Sequence, residues 1–255
     1  MKRLTLLFVS ILCFACLMGI AGMTAAAANS STEQVITLLK SKKKIPIYAE
    51  VNSVVYNPNF HTQTKSLITY WDNTVNGLYR DQMHQENGNV HFSLSKGGKT
   101  ISYAQGDSRA IVANAPTTFA AVIDTQFNLN HLLATTNVTF KGEENVNNRI
   151  TYHLAGKGKE IPEWQPPTNA PKEVIERWKL LKQPNQPKRF FPDIEFWFDK
   201  QTGIVIKKKT NDEEINVTKM DPAPKFTDAT FNIPLPNGVK MVNIDDVIKE
   251  EQAKQ

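Results

Sequence analysis

Alternation with a period of two residues runs along most of this chain, and that pattern leaves few folds open. Ile45, Ile47, Ala49, Val51 and Val55 fall on one side of an extended segment, with Tyr48, Glu50, Asn52 and Tyr56 on the other. The alternation returns over 66–71, 77–84, 90–94, 100–103 and 109–112, with turn residues at Asn87-Gly88 and Gly97-Gly98. After a gap it resumes over 138–141, 149–154, 194–198, 204–208 and 215–219. The count reaches about eleven strands, with no strand–helix–strand rhythm between them. The predicted class is mainly β with few helices: a single curved antiparallel sheet.

Three segments depart from the pattern. Residues 31–44 read as a helix that Ser31 or Thr32 caps, with Glu33 in the first turn and an apolar stripe of Val35, Ile36, Leu38 and Leu39. Between Ala115 and Thr135, Pro116 opens a second helical stretch in which Phe119, Val122, Ile123 and Phe127 recur at helical spacing, followed by Leu129, Leu132 and Leu133. An apolar helix inserted into an all-antiparallel sheet needs an apolar surface, and the open face of the sheet supplies one; the stretch reads as a lid. Residues 157–192 form a proline-rich insertion around a short helical stretch, 172–182, because proline cannot donate within a central ladder. Residues 246–255 are a charged tail, expected to be flexible.

The N-terminus reads as a signal peptide, residues 1–28: Lys2 and Arg3, an apolar run from Leu4 to about Met23, then four alanines at 25–28. Retention of that run as a membrane anchor is the alternative. Either way the domain, residues 29–245, is expected outside the cytoplasmic membrane, secreted or in the cell envelope. Cys13 and Cys16 both lie in the leader, which leaves the domain without a disulfide or a thiolate. Lys2 and Arg3 are the only charges before Asn29, so the net charge of +5 falls to +3 once they are removed. So mild an excess suits anionic envelope polymers or lipid head groups and gives no footprint for nucleic acid.

Three stretches resemble the LolA-like lipoprotein-carrier superfamily, of the LolA, LppX and RseB/MucB types. They are Gly142 to Leu154 (GEENVNNRITYHL), Ile194 to Gly203 (IEFWFDKQTG) and Asp228 to Val242 (DATFNIPLPNGVKMV), in order and at matching distances. The first departs from the family pattern at Asn148, where glycine is usual, a change that a left-handed turn position tolerates. Gly77 to Arg80 and Gly98 to Tyr103 are fainter echoes, and the proline-rich insertion lies outside the likeness. The resemblance implies an about eleven-stranded half-barrel closed by a helical lid, sheltering acyl chains.

Phe92, Leu94, Ile101 and Tyr103, with Phe119, Val122, Ile123 and Phe127 from the lid, are the candidate ligand-binding lining, the alternative being a closed core. The resemblance gives Arg80 the role of a latch bonded to the lid; by itself Arg80 reads more readily as an exposed strand arginine paired with Asp81 or Glu86. The histidines His61, His84, His91, His131 and His153 lack an i, i+4 pair, and no HExxH, P-loop, GxGxxG or GxSxG pattern occurs, so no metal, cofactor or catalytic residue is assigned. The expectation is a monomeric, non-catalytic carrier or chaperone whose partner is a lipid or a lipoprotein acyl chain. The alternative is an RseB/MucB-like sensor or regulator of envelope stress or sporulation that binds a membrane protein.

Overall fold

The computed structural model describes residues 31–114, 122–163, 165–181 and 187–253. Twelve strands form one sheet: β1 (Ile47–Asn57), β2 (Thr62–Asn73), β3 (Leu78–Gln85), β4 (Val90–Lys96), β5 (Lys99–Ala104), β6 (Arg109–Ala113), β7 (Thr136–Val146), β8 (Arg149–Gly158), β9 (Ile194–Asp199), β10 (Val205–Lys209), β11 (Glu213–Asp221) and β12 (Lys240–Asn243). The spatial order is β12-β6-β5-β4-β3-β2-β1-β11-β10-β9-β8-β7, so β12 and β7 are edges and the sheet stays open. Every pairing is antiparallel except β12 with β6, which is parallel. The architecture is the expected open, curved-sheet class with one strand more than the alternation showed. β12 escapes a period-two search because it is four residues long and its pattern is exposed, exposed, half-buried, half-buried.

Local chemistry accounts for the turns. Asn147 and Asn148 take φ of 51° and 62°, the left-handed pair that a two-residue hairpin needs, and Gly97 and Gly98 do the same between β4 and β5. Asp199 ends β9 by accepting from the Thr202 amide at 2.7 Å and the Thr202 hydroxyl at 2.7 Å, while Gly203 closes the turn at φ 83°. Arg149, from the start of β8, donates through Nε to Asp199 Oδ2 at 2.7 Å. Two of the three family-like stretches thus meet in one buried ion pair.

Helix α1 (Thr32–Lys40) starts at a capping box in which the Ser31 hydroxyl and the Gln34 side chain each accept the other residue's backbone N–H. Helix α2 (Thr125–Thr135) is capped by Asp124, whose carboxylate accepts the Phe127 amide at 2.8 Å. Among the described residues the predicted lid stretch contributes this helix and the turn 122–124 before it; its expected start at Pro116 and Phe119 lie outside the described residues, as do Trp164 and the leader 1–28. Helix α3 (Lys172–Leu181) occupies the proline-rich insertion, and helix α4 (Ile244–Gln252) follows β12 in the charged C-terminal segment.

Register assigns every side chain to one of two sheet faces. The front, covered by α1, α2 and residues 122–124, carries Ile47, Ala49 and Val51 of β1, Tyr70 of β2, Tyr79 of β3, Ile206, Ile215 and Val217 beside them, and Tyr152, Leu154, Phe196 and Phe198 further along. At β4 the apolar side changes over. Ser93 and Ser95 pair with Ser102 and Thr100 on the front, whereas Phe92 pairs with Tyr103 and Leu94 with Ile101 on the back. There the chain from Phe226 to Val239 crosses as a strap, burying Phe231 and packing Ile233, Leu235 and Val239 on Phe92, Tyr103 and Ala110.

Candidate functional site

That change of side divides the candidate lining. Val122 and Ile123 pack on the front, against Tyr70 and Tyr79; Phe92, Leu94, Ile101 and Tyr103 project from the back, with the sheet between the two sets. Phe127, on the outer side of α2, is 56% exposed. The two groups do not enclose a common cavity. Alternation gave each strand an apolar side correctly and carried no information on which layer that side meets.

Arg80 also sits on the back. Its register partners are Trp71 and Leu94, its guanidinium lies 4.5 Å from the Trp71 ring, and Nη1 donates to the Thr230 carbonyl at 3.0 Å. It holds the strap, not the segment around α2. Burial pulls its pKa below the ordinary guanidinium value, and Nε is buried without a hydrogen-bond partner among the described residues.

The cover on the front is fastened by residues that the sequence reading passed over. Val205 N donates to the Ile123 carbonyl at 3.1 Å, which extends the start of β10 onto the covering chain. Asn128, buried on α2, donates through its side-chain amide to the Val122 and Asp124 carbonyls at 2.9 and 2.7 Å. Asp124 pairs with Lys44 at 3.0 Å, Thr125 Oγ1 donates to the Gly203 carbonyl at 2.7 Å, and Lys42 Nζ donates to the Gln201 carbonyl at 2.9 Å.

These contacts frame a small open pocket of about 50 Å³ where the C-terminal end of α1, the N-terminus of α2 and the β9–β10 turn come together. Ile45, Ile47, Ile123 and Ile204 supply its apolar lining, and Lys42, Lys43 and Lys44 stand in the same wall. Asp72 and Asp124 line it too, and Lys44 is paired with Asp124, so the wall keeps an excess of one positive charge beside an apolar floor, an arrangement that suits a molecule with an oily chain and a polar or negative head. The sequence signal was present: the lysine run 42–44 sits immediately before Ile45 and Ile47, but it reads only as the basic end of a helix until the turn containing Gly203 is folded against it.

Larger hollows lie elsewhere. One, of about 400 Å³, is lined mainly by polar residues, among them Asn137, Thr139, Lys141, Lys157, Glu195 and Lys209; another, of about 390 Å³, includes Asn52, Val54, Leu67, His84 and Glu86. The back also carries an ordered polar group in which His153 stacks on Trp197 with 4.2 Å between centroids, and Glu144 accepts from Trp197 Nε1 at 2.8 Å and bonds His153 Nδ1 at 2.7 Å. The Trp197 hydrogen bond, with that of His153, holds Glu144 below the usual carboxylate range. Among the described residues no group of three metal-ligating side chains converges, and no helix is long and apolar enough to cross a membrane.

No family model and no curated sequence matches the chain. Among solved structures it is similar to MucB, at a TM-score of 0.46 and 11% identity over 81% of this chain and 64% of that one. It is also similar to LprF from Mycobacterium bovis, at 0.40 and 12% over 82% and 100% of the two chains, and to a LolA superfamily protein from Nitrosomonas europaea, at 0.33 and 8% over 80% and 98%. The likeness is one of fold. The chain spans less than two thirds of the length of MucB.

Proposed function

We propose that this protein is a non-catalytic carrier or chaperone that works outside the cytoplasmic membrane and holds an acyl chain, or another apolar ligand with an anionic end, against the front of its sheet. The observation that carries this reading is the pocket at the end of α1, where Ile45, Ile47, Ile123 and Ile204 lie beside Lys42, Lys43 and Lys44. Each methylene withdrawn from water is worth about 0.8 kcal/mol, so even a short length of chain seated there outweighs the displacement of a few waters. The ligand-binding residues in this reading are Val122 and Ile123 with the three further isoleucines. Phe92, Leu94, Ile101 and Tyr103 are then a second, closed core under the strap, and Arg80 is its fastening.

Native mass spectrometry of protein purified without detergent is expected to show the polypeptide together with an added lipid-sized mass. Ile45 is only half-buried, so Ile45→Trp fills the pocket without introducing a charge and is expected to abolish that mass while leaving the melting temperature within a few degrees. A bare polypeptide mass from the unaltered protein would overturn the reading.

A second reading, a regulator of the RseB/MucB kind that binds a membrane protein, is favoured by a different observation. The back of the sheet outside the strap carries half-buried Tyr48 edge-on to Trp71 at 5.8 Å, and His153 and Lys207 on either side of a buried Trp197. Aromatic and cationic side chains of this sort anchor protein interfaces. Recovery of one membrane protein with the unaltered chain, lost on Trp71→Ala, would select this reading.

A further inference from the structure

Asn128 runs against local preference. It stands in the first turns of α2, where asparagine is a weak helix former, and it is 4% exposed beside Leu129 and Leu132, which are wholly buried. A buried amide costs stability unless its hydrogens find acceptors. Both do: the side-chain NH2 donates to the Val122 carbonyl at 2.9 Å and to the Asp124 carbonyl at 2.7 Å. Two donors matched to two carbonyls fix which way the amide points.

The stretch that Asn128 holds is a wall of the pocket. The three consecutive carbonyls 122, 123 and 124 are taken from two sides. Asn128 binds the first and the last, and the Val205 amide of β10 binds the middle one at 3.1 Å. Ile123 is thereby set between helix and sheet, 1% exposed and in one packed cluster with Ile47, Ile204, Tyr70 and Tyr79. Asp124, whose backbone the same amide holds, is kept 3.0 Å from Lys44. Asn128 is not itself part of the lining, yet it fixes both an apolar wall residue and the carboxylate that offsets one of the lysines.

We propose that Asn128 is the positioning residue of the ligand pocket. It sets the place of Ile123 and Asp124, and with them the depth to which an apolar chain enters and the charge that its head meets. This role rests on the pocket's being a ligand site, as proposed above, although the placement of residues 122–124 is measurable without ligand.

Asn128→Leu keeps the size of the side chain and removes both donors without adding a charge. In NMR amide exchange of the ligand-free full chain, Val205 N–H is expected to exchange about tenfold faster, because its acceptor is no longer held in place. The Asp199 and Lys200 amides, bonded to the Ile204 and Ile150 carbonyls, are expected to keep their rates. Asn128→Asp supplies a rescue: its carboxylate has no hydrogen to give at about pH 7, whereas burial favours its protonation and restores one donor by about pH 5. Val205 protection in that variant is therefore expected to be low at the higher pH and to recover at the lower. In native mass spectrometry the lipid-sized mass is expected to be lost from Asn128→Leu. Unchanged Val205 exchange in Asn128→Leu, acceleration shared by Asp199 and Lys200, equal protection of Asn128→Asp at both pH values, or full retention of the added mass by Asn128→Leu would each overturn the proposal. A bare mass from the unaltered protein would sink the reading of the pocket instead, with the exchange rates still deciding whether Asn128 holds residues 122–124.

Discussion

Replacing Asp199 with alanine is expected to destabilise the domain by about 3 kcal/mol, a fall of roughly 6–12 °C in melting temperature. The carboxylate is almost fully buried, with 3% of its side chain exposed, and it does three things at once. It receives Arg149 Nε, it accepts the Thr202 amide, and it accepts the Thr202 hydroxyl. Its loss strands a guanidinium that is only 24% exposed, leaves a backbone N–H without its partner, and frees the turn that seats Gly203 under Lys42 and Thr125. Thermal or denaturant melting measures the loss, and a change below about 1 kcal/mol would show that the turn holds without its carboxylate.

The same group sets a pH dependence. Burial by itself would raise the pKa of Asp199, but the hydrogen bonds from Arg149 and Thr202 outweigh it and hold the carboxyl below its ordinary value. The folded protein then binds fewer protons than the unfolded chain. The stabilisation is complete above the unfolded carboxylate value of about 3.9 and is lost as the pH falls through the lower folded value. An Asp199→Asn variant, melted alongside the unaltered protein from pH 7 downward, is expected to show a shallower acid decline. Parallel curves would mean that another carboxylate sets the slope.

Phe231→Ala is the second large effect, also about 3 kcal/mol, because the ring is 1% exposed and a cavity replaces it. Here the distribution matters more than the total. The strap is held on the back by Phe231, by Ile233, Leu235 and Val239, by the single bond from Arg80 to the Thr230 carbonyl, and by the four-residue pairing of β12 with β6. Amide exchange in Phe231→Ala is expected to accelerate over β4 to β6 and β12 while β8 to β10 keep their protection. Uniform acceleration over all twelve strands would show instead that the two packed regions open together.

Much of the fold was legible before any coordinates. Eleven strands, the capping residue Ser31, the left-handed Asn148, and the turn built by Asp199 and Gly203 all follow from local rules: period two, side-chain capping, and positive φ. What stayed hidden is non-local. Phe92 and Ile47 sit in equally good apolar stripes, yet one faces the strap and the other faces the helices, because only strand pairing decides which side of an alternating segment is which. The helical spacing of Val122 and Ile123 hid the start of α2 at Thr125. Asp124, four residues before Asn128, carried the better signal, an acidic N-cap. The pocket was unreadable for the same reason as the strap: Lys42 and Gly203 are 161 positions apart and touch only in the finished sheet.

The exchange of sides at β3 and β4 has a mechanical corollary. A sheet with one greasy layer behaves as a single leaf, whereas this one is glued from above along one stretch and from below along the next, with Tyr79 and Arg80 as adjacent residues committed to opposite layers. Torque applied to one wing is therefore not borne by the adhesive of the other, and β3 becomes the crease about which the wings twist. Cargo entering beneath α1 and α2 would be free to swell its own wing while the strapped wing keeps its shape.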